Sequence, residues 1–401
     1  MKNNFEIINQ EADRRRKKAE NENKLSISHW KGELHSHTKT DISKPELPND
    51  IVEHRKGSNC GSIPLEALLS YHNQEMKNEF IAITEHSRDG NTEKAINGMT
   101  DWFMGMYLSN VIWLQENFSK NKESLSEDDL EKIKKTANEK AKEVALYGDE
   151  RIQVILNDIE KVSKSTDIKV FKGVEASLMP DGSLDTEMVE RGEFDMVNCS
   201  IHPDIDKEKF QPIISSSEKY SDLILKGTEN EKVNILSHIG SGLSKGVAEN
   251  LRWGEFAEKA IKNKVAIEIN LKKLITFIYE EVLDYEKYPK DSIEYREVLQ
   301  SKLRELIPIL SSENIRNQLK PYFSQGLKIA INTDEHKNKF IDSTTDKKGT
   351  EYSFKPRDLR FWRSMKIVEE YFNKIFSELG VKKENIINTF TKEELEEFFK
   401  K

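Results

Sequence analysis

Cysteine is almost absent from this 401-residue chain, occurring only at Cys60 and Cys199 with no CxxC pair. That scarcity excludes a disulfide framework and a cysteine-rich zinc site. No stretch approaches the ~18 uncharged apolar residues that a membrane-crossing helix needs, and charges and amides stand where a secretory signal would carry its apolar core. The expectation is a protein of the reducing cytoplasm with no membrane partner. A basic surface is missing too: 63 Lys and Arg stand against 71 Asp and Glu, for a formal net charge of −8. The basic run Arg14, Arg15, Arg16, Lys17 and Lys18 reads as a solvated face. A long duplex footprint is therefore disfavoured. A site holding divalent cations would be far more positive than the whole chain, so nucleic-acid ends stay open as substrates.

Hydrophobic residues at 36% and charged residues at 33% describe a polar chain that still folds. A polar segment over 1–28 precedes one expected domain over 29–401. Short apolar, β-branched runs at 80–84, 169–174, 196–200, 233–237, 265–269 and 327–332 read as strands buried on both faces. Most are separated by enough chain for a helix, the pattern of an α/β fold with parallel strands. Two longer charged stretches, about 93–163 and 272–325, are expected to be helical insertions; Leu130, Ile133 and Ala137 show the spacing in the first. Segments 42–63 and 341–355 lack periodicity and are expected to be mobile loops.

Nearly every strand candidate runs into a His, Asp or Glu. The segment WKGELHSH carries His35 and His37, two apart, as a strand entering a loop would present them to one metal. His86 follows 80–84, Glu175 follows 169–174, His202 follows 196–200, His238 follows 233–237, and Asp334 with His336 follows 327–332. In a barrel of parallel strands these ends meet at one mouth. Six of the nine histidines fall at such ends, and packing gives no reason for that. His29, His54 and His72 read as surface or hydrogen-bonded residues. So many imidazoles and carboxylates in one cavity need metal to be compatible, and more than four ligands means more than one ion. Mixed nitrogen and oxygen donors suit Mn, Zn or Fe better than Mg or Ca.

At these residues the sequence resembles the PHP (polymerase and histidinol phosphatase) superfamily. The segments ELHSHT, AITEHS, KGVEASLMPDGSLD, VNCSIHP, ILSHIG, AIEIN and KIAINTDEH carry the likeness in order over about 30–340. Several look most like the PHP domain attached to bacterial family X DNA polymerases. No polymerase motifs accompany them, so the resemblance implies hydrolysis rather than synthesis. It implies a distorted (β/α)7 barrel and a metal-dependent phosphoester hydrolase, a phosphatase or nuclease, with two to three divalent ions, Mn or Zn first and Fe next. One ion would be held by His35, His37, Glu175 and Asp334, a set that is also catalytic. A second would share Glu175 and add His202 and His238. The third would use His86, His336 and an early ligand, for which Asp41 stands four residues after His37, where relatives place it five or six after. Arg88 and Lys272 are candidate phosphate contacts. The expected substrate is a phosphorylated small molecule or a nucleic-acid end, cleaved by metal-activated water. Two other classes stand beside this one. An amide or lactone hydrolase would show a strand-end lysine for carboxylation, which is not evident. A non-catalytic or partner-activated PHP subunit would use the helical insertions to dock a protein partner.

Overall fold

The computed structural model of the chain describes residues 30–38, 63–74, 76–87, 96–97, 100–101, 103–111, 125–144, 149–203, 205–278, 293–307, 312–334, 336, 341–342, 353–354 and 359–400. The segment 1–28, Asp41, Arg88, Cys60, His29, His54 and most of the stretch 42–63 lie outside the described residues.

Seven strands form one sheet in sequence order, every pair parallel: β1 Gly32–Ser36, β2 Phe80–His86, β3 Lys169–Ser177, β4 Met196–Ser200, β5 Ile235–Leu236, β6 Ala266–Asn270 and β7 Ile329–Asn332. Among the described residues the helices include, in chain order, α1 Leu65–Gln74, α2 Glu127–Val144, α3 Asp149–Ser163, α4 Lys207–Ile214, α5 Ser217–Glu229, α6 Lys245–Glu249, α7 Trp253–Lys262, α8 Lys272–Phe277, α9 Ile293–Leu306, α10 Glu313–Phe323, α11 Leu359–Leu379 and α12 Lys392–Phe399. Strands and helices alternating in this order give the distorted (β/α)7 barrel. Within 93–163, α3 packs on β3 and α1; within 272–325, α10 packs on α7, and α9 on α11. The stripe expected on α2 is only partly used: Ala137 is buried against Phe103, Ile133 is half-buried and Leu130 is exposed. The stretch 341–355 carries a short antiparallel pair, β8 Ile341–Asp342 with β9 Ser353–Phe354.

Strand alternation divides the interior into two levels. Inward residues from the early part of each strand, Leu34, Phe80, Ala82, Phe171, Met196, Ile235, Ala266 and Ala330, pack as an apolar floor closed from below by Leu395, Phe398 and Phe399 of α12. Further along the same strands the buried residues turn polar: Thr84 and His86, Glu175 and Ser177, Asn198 and Ser200, Glu268, Asn332. The alternate residues, such as Ile81, Ile83, Cys199, Ile267 and Ile331, pack outward under the helices. Buried apolar surroundings push the Cys199 thiol up, which leaves it inert. Gly32 is required by close approach, because a Cβ there would lie 2.2 Å from the Phe80 carbonyl oxygen.

The seam between β1 and β7 has no strand ladder. Asn388 fills it: its side-chain amide donates to the Gly32 carbonyl at 3.1 Å and to Asn332 Oδ1 at 3.0 Å, and its Oδ1 accepts the Ile331 N–H at 2.7 Å. Leu34 N–H donates to Asn332 Oδ1 at 3.2 Å, and Glu33 accepts the Thr333 N–H and hydroxyl. Side chains thus stand in for backbone pairing and bring the two ends of the sheet together.

Candidate metal centre

The polar upper level of the barrel is where the strand ends deliver their ligands. The register of β1 against β2 slips between Glu33 and Ser36. At that irregularity Leu34 joins the apolar floor while the next residue, His35, reaches Glu175 and Glu268. A local slip can re-aim a side chain in this way, so the two histidines do not depend on simple strand alternation. His238 and Asp334, with φ of 34° and 48°, hold left-handed backbone that non-glycine residues seldom adopt.

Glu175 is the hub. Its Oε2 lies 2.9 Å from His86 Nδ1, 3.3 Å from His35 Nε2 and 3.5 Å from His37 Nε2. Its Oε1 lies 2.8 Å from His238 Nε2 and 3.4 Å from His202 Nε2, and the Ser200 hydroxyl donates to it. Asp334 Oδ1 is 3.0 Å from His336 Nδ1, 3.3 Å from His37 Nε2 and 3.8 Å from His35 Nε2. Three groups have ligand atoms within 4.8 Å of one another: His35, His37 and Asp334; His86, Glu175 and His202; His37, His86 and His336. The structure thus brings together all the sequence-predicted ligands it describes, Asp41 lying outside the described residues. His86, expected with His336 and an early ligand, falls beside His37 and His336 and also beside Glu175 and His202.

These residues fit a metal by their own chemistry. His35 Nε2, both ring nitrogens of His37 and Glu175 Oε2 are buried and have no hydrogen-bond partner. Buried polar atoms in that condition are costly, and here the imidazole nitrogens face carboxylate oxygens as donors to a shared cation would. The titration behaviour agrees. Burial alone lowers the His35 value, yet Glu268, Glu175 and Asp334 together hold it well above the ordinary imidazole range. Burial, with His37 and His202 nearby, holds His86 below it despite Glu175. Burial, His37 and Lys272 bring His336 down to about 4 against the pull of Asp334. Glu175 is buried, which disfavours its charge, but His86, His35 and His202 hold it well below the usual carboxylate range. The cluster is a set of bases competing for too few protons, a need that cations can meet.

Supporting residues that the sequence reading missed surround this cluster. Glu268 Oε1 accepts from His35 Nδ1 at 2.7 Å and from the Asn332 amide at 2.9 Å. Its Oε2 accepts the His238 N–H at 2.8 Å and the Asn270 amide at 3.1 Å. Glu85 accepts the Thr38 N–H and lies 3.9 Å from His37 Nδ1 and 3.7 Å from the Arg151 guanidinium. Arg151 also donates to the His86 carbonyl at 2.6 Å. A carboxylate inside the apolar run AIEIN was the available signal for Glu268. For Arg151 the only signal was its position on the apolar stripe of Ile155 and Ile159 in α3. His72, read as structural, is buried with Nδ1 2.8 Å from the Asn78 amide.

A cleft of about 950 Å³ opens above the cluster, with His86, His202, His238 and Asp334 at its base and Lys272, Lys273, Phe277 and Lys302 on its wall. Lys272 Nζ is 3.2 Å from both Asp334 Oδ1 and His336 Nε2.

No protein-family model matches the chain, and no curated protein does. Among solved structures, the histidinol phosphate phosphatase of Lactococcus lactis subsp. lactis Il1403, complexed with zinc, L-histidinol and phosphate, is similar over 86% of this chain and 94% of that one, at 14% identity and a TM-score of 0.34. That likeness is too low to assign a role to any residue here.

Proposed function

We propose that the chain is a metal-dependent phosphoester hydrolase that acts on a phosphorylated small molecule or at a nucleic-acid end. One observation carries this reading: His35 Nε2, His37 Nε2 and Glu175 Oε2, buried and without hydrogen-bond partners, converge with His86, His202, His238 and Asp334, which line an open cleft that also presents Lys272. His35, His37, Glu175 and Asp334 are the central ligands, completed by His86, His202, His238 and His336, and Asp41 is retained as the early ligand of a third ion. Two or three ions, Mn or Zn in preference to Fe, suit this donor set. Such ions, when bound, would activate water at neutral pH and stabilise charge on a transferring phosphoryl group.

The residues themselves supply binding and orientation. Glu268 accepts from His35 Nδ1 and so leaves Nε2 bare toward Glu175 and Asp334. Ser177 Oγ, 2.8 Å from His202 Nδ1, orients that ring with its Nε2 toward Glu175. The Lys272 ammonium would receive phosphate oxygens entering the cleft; Arg88 is proposed for the same task. A net charge of −8 and a cleft of about 950 Å³ favour a small ester or a few terminal nucleotides over a long duplex. The low cysteine content suits a cytoplasmic setting.

The test is a screen of purified protein supplied separately with Mn, Zn, Fe and Mg on a phosphomonoester, on end-labelled single-stranded and duplex DNA, and on RNA. Mn-stimulated release from termini, weakly dependent on salt and lost in His35→Ala, is expected. Metal uptake without turnover on any substrate would favour a partner-activated subunit. Efficient cutting of covalently closed circular DNA would overturn the preference for ends.

A further inference from the structure

We infer that Arg151 is a positioning residue of the metal centre, through which helix α3 sets the placement of His37 and His86. The inference rests on the metal-centre reading above and extends it to a residue more than a hundred positions from β1.

Arg151 stands in the first turn of α3 on the face that buries Ile152, Ile155, Leu156 and Ile159. Its side chain is 1% exposed, unusual for a guanidinium, since a buried charge is tolerated only where it is compensated. Both ends of the guanidinium are directed at the ligand cluster. Nη1 donates to the His86 carbonyl at 2.6 Å, and Nη2 lies 3.7 Å from Glu85 Oε2. Glu85 in turn accepts the N–H of Thr38, the residue after His37, and approaches His37 Nδ1 at 3.9 Å. One side chain therefore fixes the backbone of one ligand and the carboxylate that restrains another. The helix is itself anchored: Asp149, two residues earlier, accepts from Thr186 Oγ1 at 3.0 Å and pairs with Arg191 at 3.4 Å. Arg151 does not itself line the cleft, and its bond to His86 is to the backbone carbonyl rather than to a ligand atom, so its effect passes through Glu85 and His86.

The direct test measures Zn²⁺ affinity of the full chain by chelator competition at 25 °C, where circular dichroism shows each variant folded. Arg151→Met keeps the volume and removes the charge and the donors. About ten- to hundredfold weaker Zn²⁺ binding is expected, the range typical of lost support around a metal ligand, with Arg151→Lys recovering part of it. A residue that served packing alone would lower the melting temperature and leave the affinity of the folded protein unchanged. If Arg151→Met does not fold, the pair Glu85→Gln with Arg151→Met removes both charges together and is measured in its place; weaker Zn²⁺ binding is again expected, because His86 has lost its donor. Folded variants with wild-type affinity overturn the inference alone. Wild-type protein that takes up no Zn²⁺ overturns the metal reading and this inference with it.

Discussion

Two buried carboxylates support the ligand cluster, Glu268 beside His35 and Glu85 beside His37, and they do so by different means. Glu268 has hydrogen-bond donors on both oxygens: an imidazole, a backbone N–H and two asparagine amides, drawn from β1, β6, β7 and the turn after β5. Glu85 has one oxygen on the Thr38 N–H, and the other has no hydrogen-bond partner, lying 3.7 Å from a guanidinium supplied by α3. The first support is complete within the barrel. The second depends on a helix outside it and on charge, which acts over distances where a hydrogen bond fails. The lesson is that one half of the centre is built into the sheet, whereas the other half is tied to how the chain between β2 and β3 folds.

The largest expected effect ignores this division. Glu175 touches imidazoles from both halves, so Glu175→Gln should abolish turnover and lower metal content, read by elemental analysis, from about two to three equivalents to at most one. Unchanged metal content would refute its place as the hub.

A smaller effect separates the halves. Glu268→Gln turns an amide NH₂ toward two donors whichever way it rotates, leaving buried donors unmet at about 1–3 kcal/mol each. Glu85→Gln can keep the Thr38 bond and loses the charge facing Arg151 and His37. The melting temperature of metal-free protein should therefore fall further in Glu268→Gln than in Glu85→Gln, and the reverse order in thermal unfolding would dissolve the distinction.

The smallest effect concerns pH. His35 and His37 are raised above 6.5 by their carboxylates, so the stability they give metal-free protein is present below 6.5 and lost as pH rises through their folded values. His336 is lowered from 6.5 to about 4; its unfolded form takes a proton first, so stability is also lost as pH falls through that window. Metal-free protein should be most stable near pH 6.5. Metal requires the imidazoles unprotonated, so loaded protein should lose the alkaline decline, a contrast that melting curves at pH 6.5 and 8.5 would reveal.

The strands were legible because parallel strands buried on both faces leave apolar runs, and each such run marks where its ligand must follow. The runs at 80–84, 169–174 and 196–200 lie within β2, β3 and β4, and their ends carry His86, Glu175 and His202 into one cluster. The run at 233–237 shrinks to two paired residues, because the chain turns at once into the strained His238. What stayed hidden depends on partners far apart in sequence. Glu268 acquires its role from His35, 233 positions away, and Arg151 from His86, 65 positions away. No local periodicity records such a meeting, and a buried arginine on an otherwise charged helix looks like one more solvated charge.

The amide of Asn388 that closes the barrel bonds to a carbonyl 356 positions earlier, at Gly32. Bringing such distant residues together is a late event in folding, since the loop between them must be ordered first. A growing chain must carry β1 with one side unjoined until Asn388 has been made, and an open strand edge is a template for the wrong partner. The protein's most exposed moment is thus its birth: a centre assembled from both extremes of the sheet exists only after the last seam is sewn, and it is newly made chains, rather than finished ones, that most need protection from one another.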